Sequence, residues 1–176
     1  MPVKTWDISV RFTHWTVAGI VVWNLFGPTD QAHRVLGYIA AGLVVFRVIW
    51  GFVGTRYARF SAWWPTAAHL AEYLRSLAVG KPIRHLSHNP LGALMAIALW
   101  LLVIGLAVSG WMMRLDAFWG EDWLEGLHTA LSVALQVCVC AHIVAAIVMS
   151  LWTRDNLIGA MLTGFKRDVD DNNTRR

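Results

Sequence analysis

Acidic side chains are scarce in this 176-residue chain, with 11 Asp and Glu against 15 Lys and Arg. Charged residues of both signs reach only 15%, where a soluble domain carries about a quarter. Cysteine is nearly absent. The two present, Cys138 and Cys140, lie two residues apart inside an apolar run, which excludes a disulfide framework and a zinc-finger spacing. No Cys-x-x-Cys-His occurs, so any haem would be held without thioether links. The chain has no internal repeat. It has no recognisable cleavable leader either. Its first apolar run contains Arg11 and His14 and is followed by no small-x-small site, so it reads as a retained anchor. The net charge of +4 could suggest a nucleic-acid partner, but the basic residues flank apolar runs and form no single soluble face.

What the chain has in abundance is apolar sequence. Hydrophobic residues make up 57% and the mean hydropathy is +0.50. There are eleven tryptophans, a residue that collects at membrane interfaces. Four runs, at about 8–26, 33–53, 91–113 and 127–152, are long enough to span a hydrocarbon core, which takes about 20 helical residues. Lipid offers no hydrogen bonds to backbone groups, so each run is expected to be a helix. The fold class that follows is an all-α membrane protein, a bundle of four transmembrane helices over residues 1–167, with a polar tail at 168–176 expected to be disordered. The segment at 114–126 carries Asp116, Glu121, Asp122 and Glu125 against a single Arg114. Lys4, Arg56, Arg59, Arg84, Arg154 and Lys166 fall on the other side. The positive-inside rule then places both termini and the 54–89 segment in the cytoplasm of a bacterial inner membrane. Within that segment Pro65 could open, and Gly80 with Pro82 could close, an amphipathic helix at about 65–79 on the inner surface. It reads as a linker without chemistry.

Ionisable groups inside a bilayer are functional candidates, and four of the seven histidines lie in or at the ends of the spans. His128 and His142 are fourteen residues apart, roughly 21 Å of helical rise and close to four whole turns. One helix thus offers two imidazoles on one face, one in each leaflet. His33 shares the outer level with His128, and His14 shares the inner half with His142. Two facing imidazoles fit a low-spin haem with both axial positions filled, and bundle cores are where such sites are built. One turn after each histidine stands a small residue that leaves room for a porphyrin: Ala18, Gly37, Ser132 and Ala146. His69, His85 and His88 fall in the cytoplasmic segment and read as solvated or interfacial. The i, i+3 spacing of His85 and His88 is only a weak metal signal.

Arg47 lies well inside the second span, where no acid is present in any span to neutralise it, so a haem propionate is its natural partner. Arg11 could act in the same way but reads as snorkelling to the headgroups. Arg34, beside His33, is open between the two. Cys138 and Cys140 read as small packing residues.

These residues together resemble a known family. His14-Trp15, Ala32-His33 with Gly37, Arg47, and His128 with His142 are similar to the bacterial cytochrome b561 family and the related b-type cytochrome subunits of nickel–iron hydrogenases. The stretches 152–157, 47–54 and 88–90 look alike too, and the likeness covers about residues 5–165. The resemblance implies two haems b, held by His14 with His142 and by His33 with His128. It also implies electron exchange between the membrane quinone pool and a partner at the outer face. The short first outer loop, and the lack of a long extension that might mark a dedicated hydrogenase subunit, leave that partner open.

Three functions compete. The leading one is a di-haem electron carrier between quinone and a periplasmic redox protein docked on the acidic outer loop, or a small oxidant or reductant such as superoxide, which would make the chain an enzyme. The second is a haem-bearing membrane anchor of a larger periplasmic oxidoreductase. The third is a non-redox, histidine-lined proton or metal conduit. A homodimer is compatible with each.

Overall fold

The computed structural model describes residues 2–167, so the tail at 168–176 lies outside the described residues. The elements run β1 (Pro2–Lys4), α1 (Ile8–Phe26), α2 (Gln31–Val53), α3 (Ala67–Ala78), α4 (Pro90–Met112), α5 (Asp122–Thr153), α6 (Leu157–Thr163) and β2 (Phe165–Arg167), with single 3₁₀ turns at Phe60–Ala62 and Asp116–Phe118. Three helices, α2, α4 and α5, are long and apolar enough to cross a membrane. Their large apolar side chains point outward: Phe52 is 70% exposed, Leu101 67% and Leu151 75%. Soluble monomers avoid apolar surface on this scale, whereas lipid-facing helices require it. The chain is a membrane protein. The 19-residue α1 is apolar as well but carries Arg11, His14 and Asn24.

Local chemistry explains where the helices begin and end. α5 starts at Asp122, five residues before the expected 127, because Asp122 and Glu125 in its first turn complement the positive end of the helix dipole. α3 opens after Thr66, whose hydroxyl accepts from the His69 N–H at 3.2 Å, so Pro65 precedes the cap rather than starting the helix. Its far end closes at Gly80, held at φ +71°, with Lys81 N donating to Ser76 O at 2.9 Å.

The chain forms two compact units. The described residues of the first are 2–11, 49–96 and 142–167. In it β1 pairs antiparallel with β2, Val3 opposite Lys166, so the two ends of the described chain lie side by side. The N–H groups of Thr5 and Trp6 converge on Gly164 O at 2.9 and 3.1 Å. Gly164 sits at φ +89°, and a Cβ there would stand 2.7 Å from Trp6 O, so only glycine fits. Asp7 caps α1 by accepting from Val10 N at 2.9 Å. Its second oxygen accepts from Trp50 Nε1 at 3.0 Å and Thr55 Oγ1 at 2.6 Å, tying the end of α2 to the start of α1. Trp6, Val10, Ala58 and Ala160 form a small buried core.

The second unit comprises residues 12–48 and 97–141. Its core is shared among four helices: Ile20 and Val21 from α1, Ala40 and Val44 from α2, Val103 from α4 and Leu135 from α5. His14, His33 and His128 belong to this unit.

Candidate functional site

His33 is set by the way α2 begins. Asp30 Oδ1 accepts from the N–H groups of Ala32 at 2.9 Å and His33 at 3.2 Å, a side-chain cap that fixes the first turn. From α1, Asn24 Nδ2 donates to His33 O at 3.0 Å. Gly37 stands one turn on, where a Cβ would be in ordinary contact with Asn24 Nδ2 at 3.5 Å. His128 comes from α5. The two partly buried rings face each other with centroids 6.4 Å apart and planes at 58°.

The α4 helix grips His128 from another side. Ser109, 2% exposed, donates its hydroxyl proton to Leu106 O at 3.2 Å and lies 2.8 Å from His128 Nδ1. With the hydroxyl proton on Leu106 O, His128 donates in the second contact, and that Nδ1–H tautomer leaves the Nε2 lone pair for another partner. Gly110 lies beside the ring, and a Cβ there would come to 3.4 Å from His128 Cε1. His33 Nδ1 is buried with no hydrogen-bond partner among the described residues.

This geometry fits an iron between the rings. A metal–imidazole bond is about 2 Å, so two rings on opposite sides of one metal have centres roughly 6 Å apart. The observed separation is 6.4 Å. One imidazole already has its distal nitrogen fixed by a hydrogen bond, the usual arrangement for a histidine ligand.

The remaining candidates fall as follows. His14 stands edge-on to Trp15, ring centroids 5.0 Å apart, and His142 is partly buried on α5. His14 belongs to the second unit and His142 to the first. Ala18, Ser132 and Ala146 are partly buried. Arg47 is 5% exposed, and its guanidinium lies 5.3 Å from the centroid of Trp100 on α4, a cation–π partner that no local sequence pattern signals. Arg11 donates to Thr163 O at 3.0 Å, and Arg34 is exposed in the first turn of α2. Cys138 and Cys140 are free thiols on α5.

Of the histidines in the 54–89 segment, His69 is exposed as expected, whereas His85 and His88 are half-buried. His88 packs against both Trp6 and Trp63, centroids 4.8 Å in each case, and His85 meets Tyr73 at 5.7 Å. Burial, with the nearby Lys166 charge, lowers the His85 pKa below its ordinary value, so the ring stays neutral at pH 7. No group of three or more His, Cys, Asp or Glu able to hold a metal ion occurs among the described residues.

Sequence reading misses Asn24, Ser109 and Gly110. The first two carry a signal: each is a lone polar side chain in an apolar span, and buried polar groups need partners.

Comparison with known proteins decides what the site belongs to. A family model described as prokaryotic cytochrome b561 matches residues 5–164. The chain belongs to the prokaryotic cytochrome b561 family. As a b-type cytochrome it is a membrane electron-transfer protein whose cofactor is haem b. The probable Ni/Fe-hydrogenase B-type cytochrome subunit of Azotobacter vinelandii is 26% identical to it over 173 residues, covering 84% of this chain and 72% of that protein. The protein of the same description from Bradyrhizobium diazoefficiens is 26% identical over 183 residues, covering 88% and 73%.

Proposed function

We propose that this cytochrome b561 binds two haems b and passes electrons between the quinone pool and a periplasmic redox partner or small oxidant or reductant. The observation that carries the reading is the His33–His128 pair, at a ring separation suited to one iron. His14 and His142 are assigned to the second haem from their depths in the spans. Haem iron, when bound, supplies the one-electron step.

The chain's own residues do the rest. His33 and His128 hold the outer site from two helices, and Ser109 fixes the His128 tautomer. Arg47, on its tryptophan ring, offers the buried positive charge for a propionate.

Four crossings are supported by the pairing of β1 with β2, because chain ends on one side require an even number of spans. With α2, α4 and α5 as three spans, α1 is the fourth. The basic 54–89 segment then faces the cytoplasm and the acidic turn between α4 and α5 faces outward. Trp119 and Trp123, 77% and 53% exposed there, make that turn a surface for a partner with a basic face.

The names of the hydrogenase relatives favour a second reading, in which the haems wire a larger periplasmic oxidoreductase to the membrane. Family membership removes the support for a non-redox conduit.

Addition of a short-chain quinol to the oxidised, purified protein tests the quinone assignment. Development of the reduced haem α-band is the expected result. Full reduction by dithionite but none by quinol would overturn the assignment. Copurification of a second redox chain in equal amount would decide for the anchor reading.

A further inference from the structure

The first unit contains a basic cavity that the electron-transfer site does not use. It has a volume of about 570 Å³ and is lined by Arg56, Arg59, Arg84, Tyr57, His85 and Ser87, among others. That is the size range of small-molecule sites. Its walls come from the chain just after α2 and just before α4.

The charge balance inside it is one-sided. Arg84 is paired with Asp155, Nη2 to Oδ2 at 3.3 Å, with both side chains largely buried. Arg59 donates Nε to Gly54 O at 2.7 Å, which orients its guanidinium but does not neutralise it. Arg56 lies over the Tyr57 ring at 5.7 Å. Among the described residues neither Arg56 nor Arg59 is in an ion pair. Behind the wall, Lys166 Nζ reaches the carbonyls of His85 and Ser87 at 3.4 Å each, and Ser87 Oγ donates to Tyr57 O at 2.9 Å. The framework is therefore fixed by hydrogen bonds, and His85 Nε2 is buried without a partner among the described residues. Burial pushes the Lys166 pKa down to about 8, against the opposing pull of Asp155 and with a smaller push from Arg84.

Position selects the kind of anion. α2, a membrane-crossing candidate, ends at Val53, and α4, another, begins at Pro90. The cavity therefore lies within a few residues of where the chain leaves and re-enters the apolar layer. Arginine pairs bidentately with phosphate oxygens, and basic pockets at this level take lipid headgroups. We propose that this cavity is a phosphate-anion site that holds the headgroup of an acidic phospholipid through Arg56 and Arg59. The proposal does not depend on how the haems are held.

The test uses the full-length holoprotein, delipidated in neutral detergent. It is titrated separately with short-chain phosphatidylglycerol, short-chain phosphatidylcholine and inorganic phosphate, with native mass spectrometry and thermal shift as readouts. Phosphatidylglycerol is expected to bind with a stabilising shift, and the double variant Arg56→Gln/Arg59→Gln to bind it at least tenfold more weakly while keeping its haem spectrum. Arg75→Gln, an exposed charge on α3 outside the cavity, is expected to bind as the wild type does. Phosphate binding that the double variant loses, without lipid binding, would support the anion site but assign it to a soluble phosphate. Equal binding by the double variant, equal retention of phosphatidylcholine, or equal weakening by Arg75→Gln would each overturn the proposal.

Discussion

Replacing His128 by alanine is expected to yield a protein that folds, inserts and carries one haem, against the two proposed for the wild type. The substitution removes one proposed axial ligand and leaves Ser109 with its bond to Leu106 O alone. The pyridine haemochrome signal per chain should halve, and the surviving haem should keep sharp low-spin bands. His33→Ala is expected to give the same product, because the two rings face each other across one site. The sharper result comes from the double variant. Two ligands of one haem form a unit, so their losses do not add. His33→Ala/His128→Ala should still hold one haem. A haem-free double variant would mean that the two histidines serve different haems, and full retention of both haems in either single variant would remove that histidine from the ligand set.

Ser109→Ala should weaken the outer haem without touching an axial ligand. In the Nδ1–H tautomer the serine hydroxyl, 2.8 Å from His128 Nδ1, accepts that proton and raises the basicity of the opposite nitrogen. Loss of such a partner typically costs about 10–100-fold in metal affinity. It also leaves a buried N–H unpaired, at about 1–3 kcal/mol. A less basic imidazole stabilises ferric iron less, so the midpoint potential of the outer haem should rise. Potentiometric titration should show one of the two haem components moving up and the other unchanged, with Ser109→Thr restoring most of the difference. Two unmoved components would show that the serine is merely a packing residue.

Much of this arrangement is legible in the chain. Long apolar runs without acid can only be helices in lipid, so α2, α4 and α5 follow from composition alone. The 14-residue spacing of His128 and His142 puts both on one helix, and α5, Asp122–Thr153, carries the two. Other features depend on contacts between elements distant in sequence, which no local pattern signals. Trp100 under Arg47 and Ser109 behind His128 are of this kind. So is the pairing of β1 with β2: three-residue strands are too short for an alternation signal, yet they join the two ends of the described chain. His88 reads as solvated or interfacial from its place in the 54–89 segment, whereas its neighbours in space are Trp6 and Trp63. Helix starts shift by a few residues where a capping side chain, Thr66 or Asp30, overrides the hydrophobic boundary.

The most direct test of di-haem binding is the haem content of the purified wild-type chain, measured by pyridine haemochrome alongside a reduced-minus-oxidised visible spectrum. Two haems b per chain, both with the narrow bands of bis-histidine iron, are the predicted result. A single haem per chain, or none after expression with ample haem supply, would contradict it.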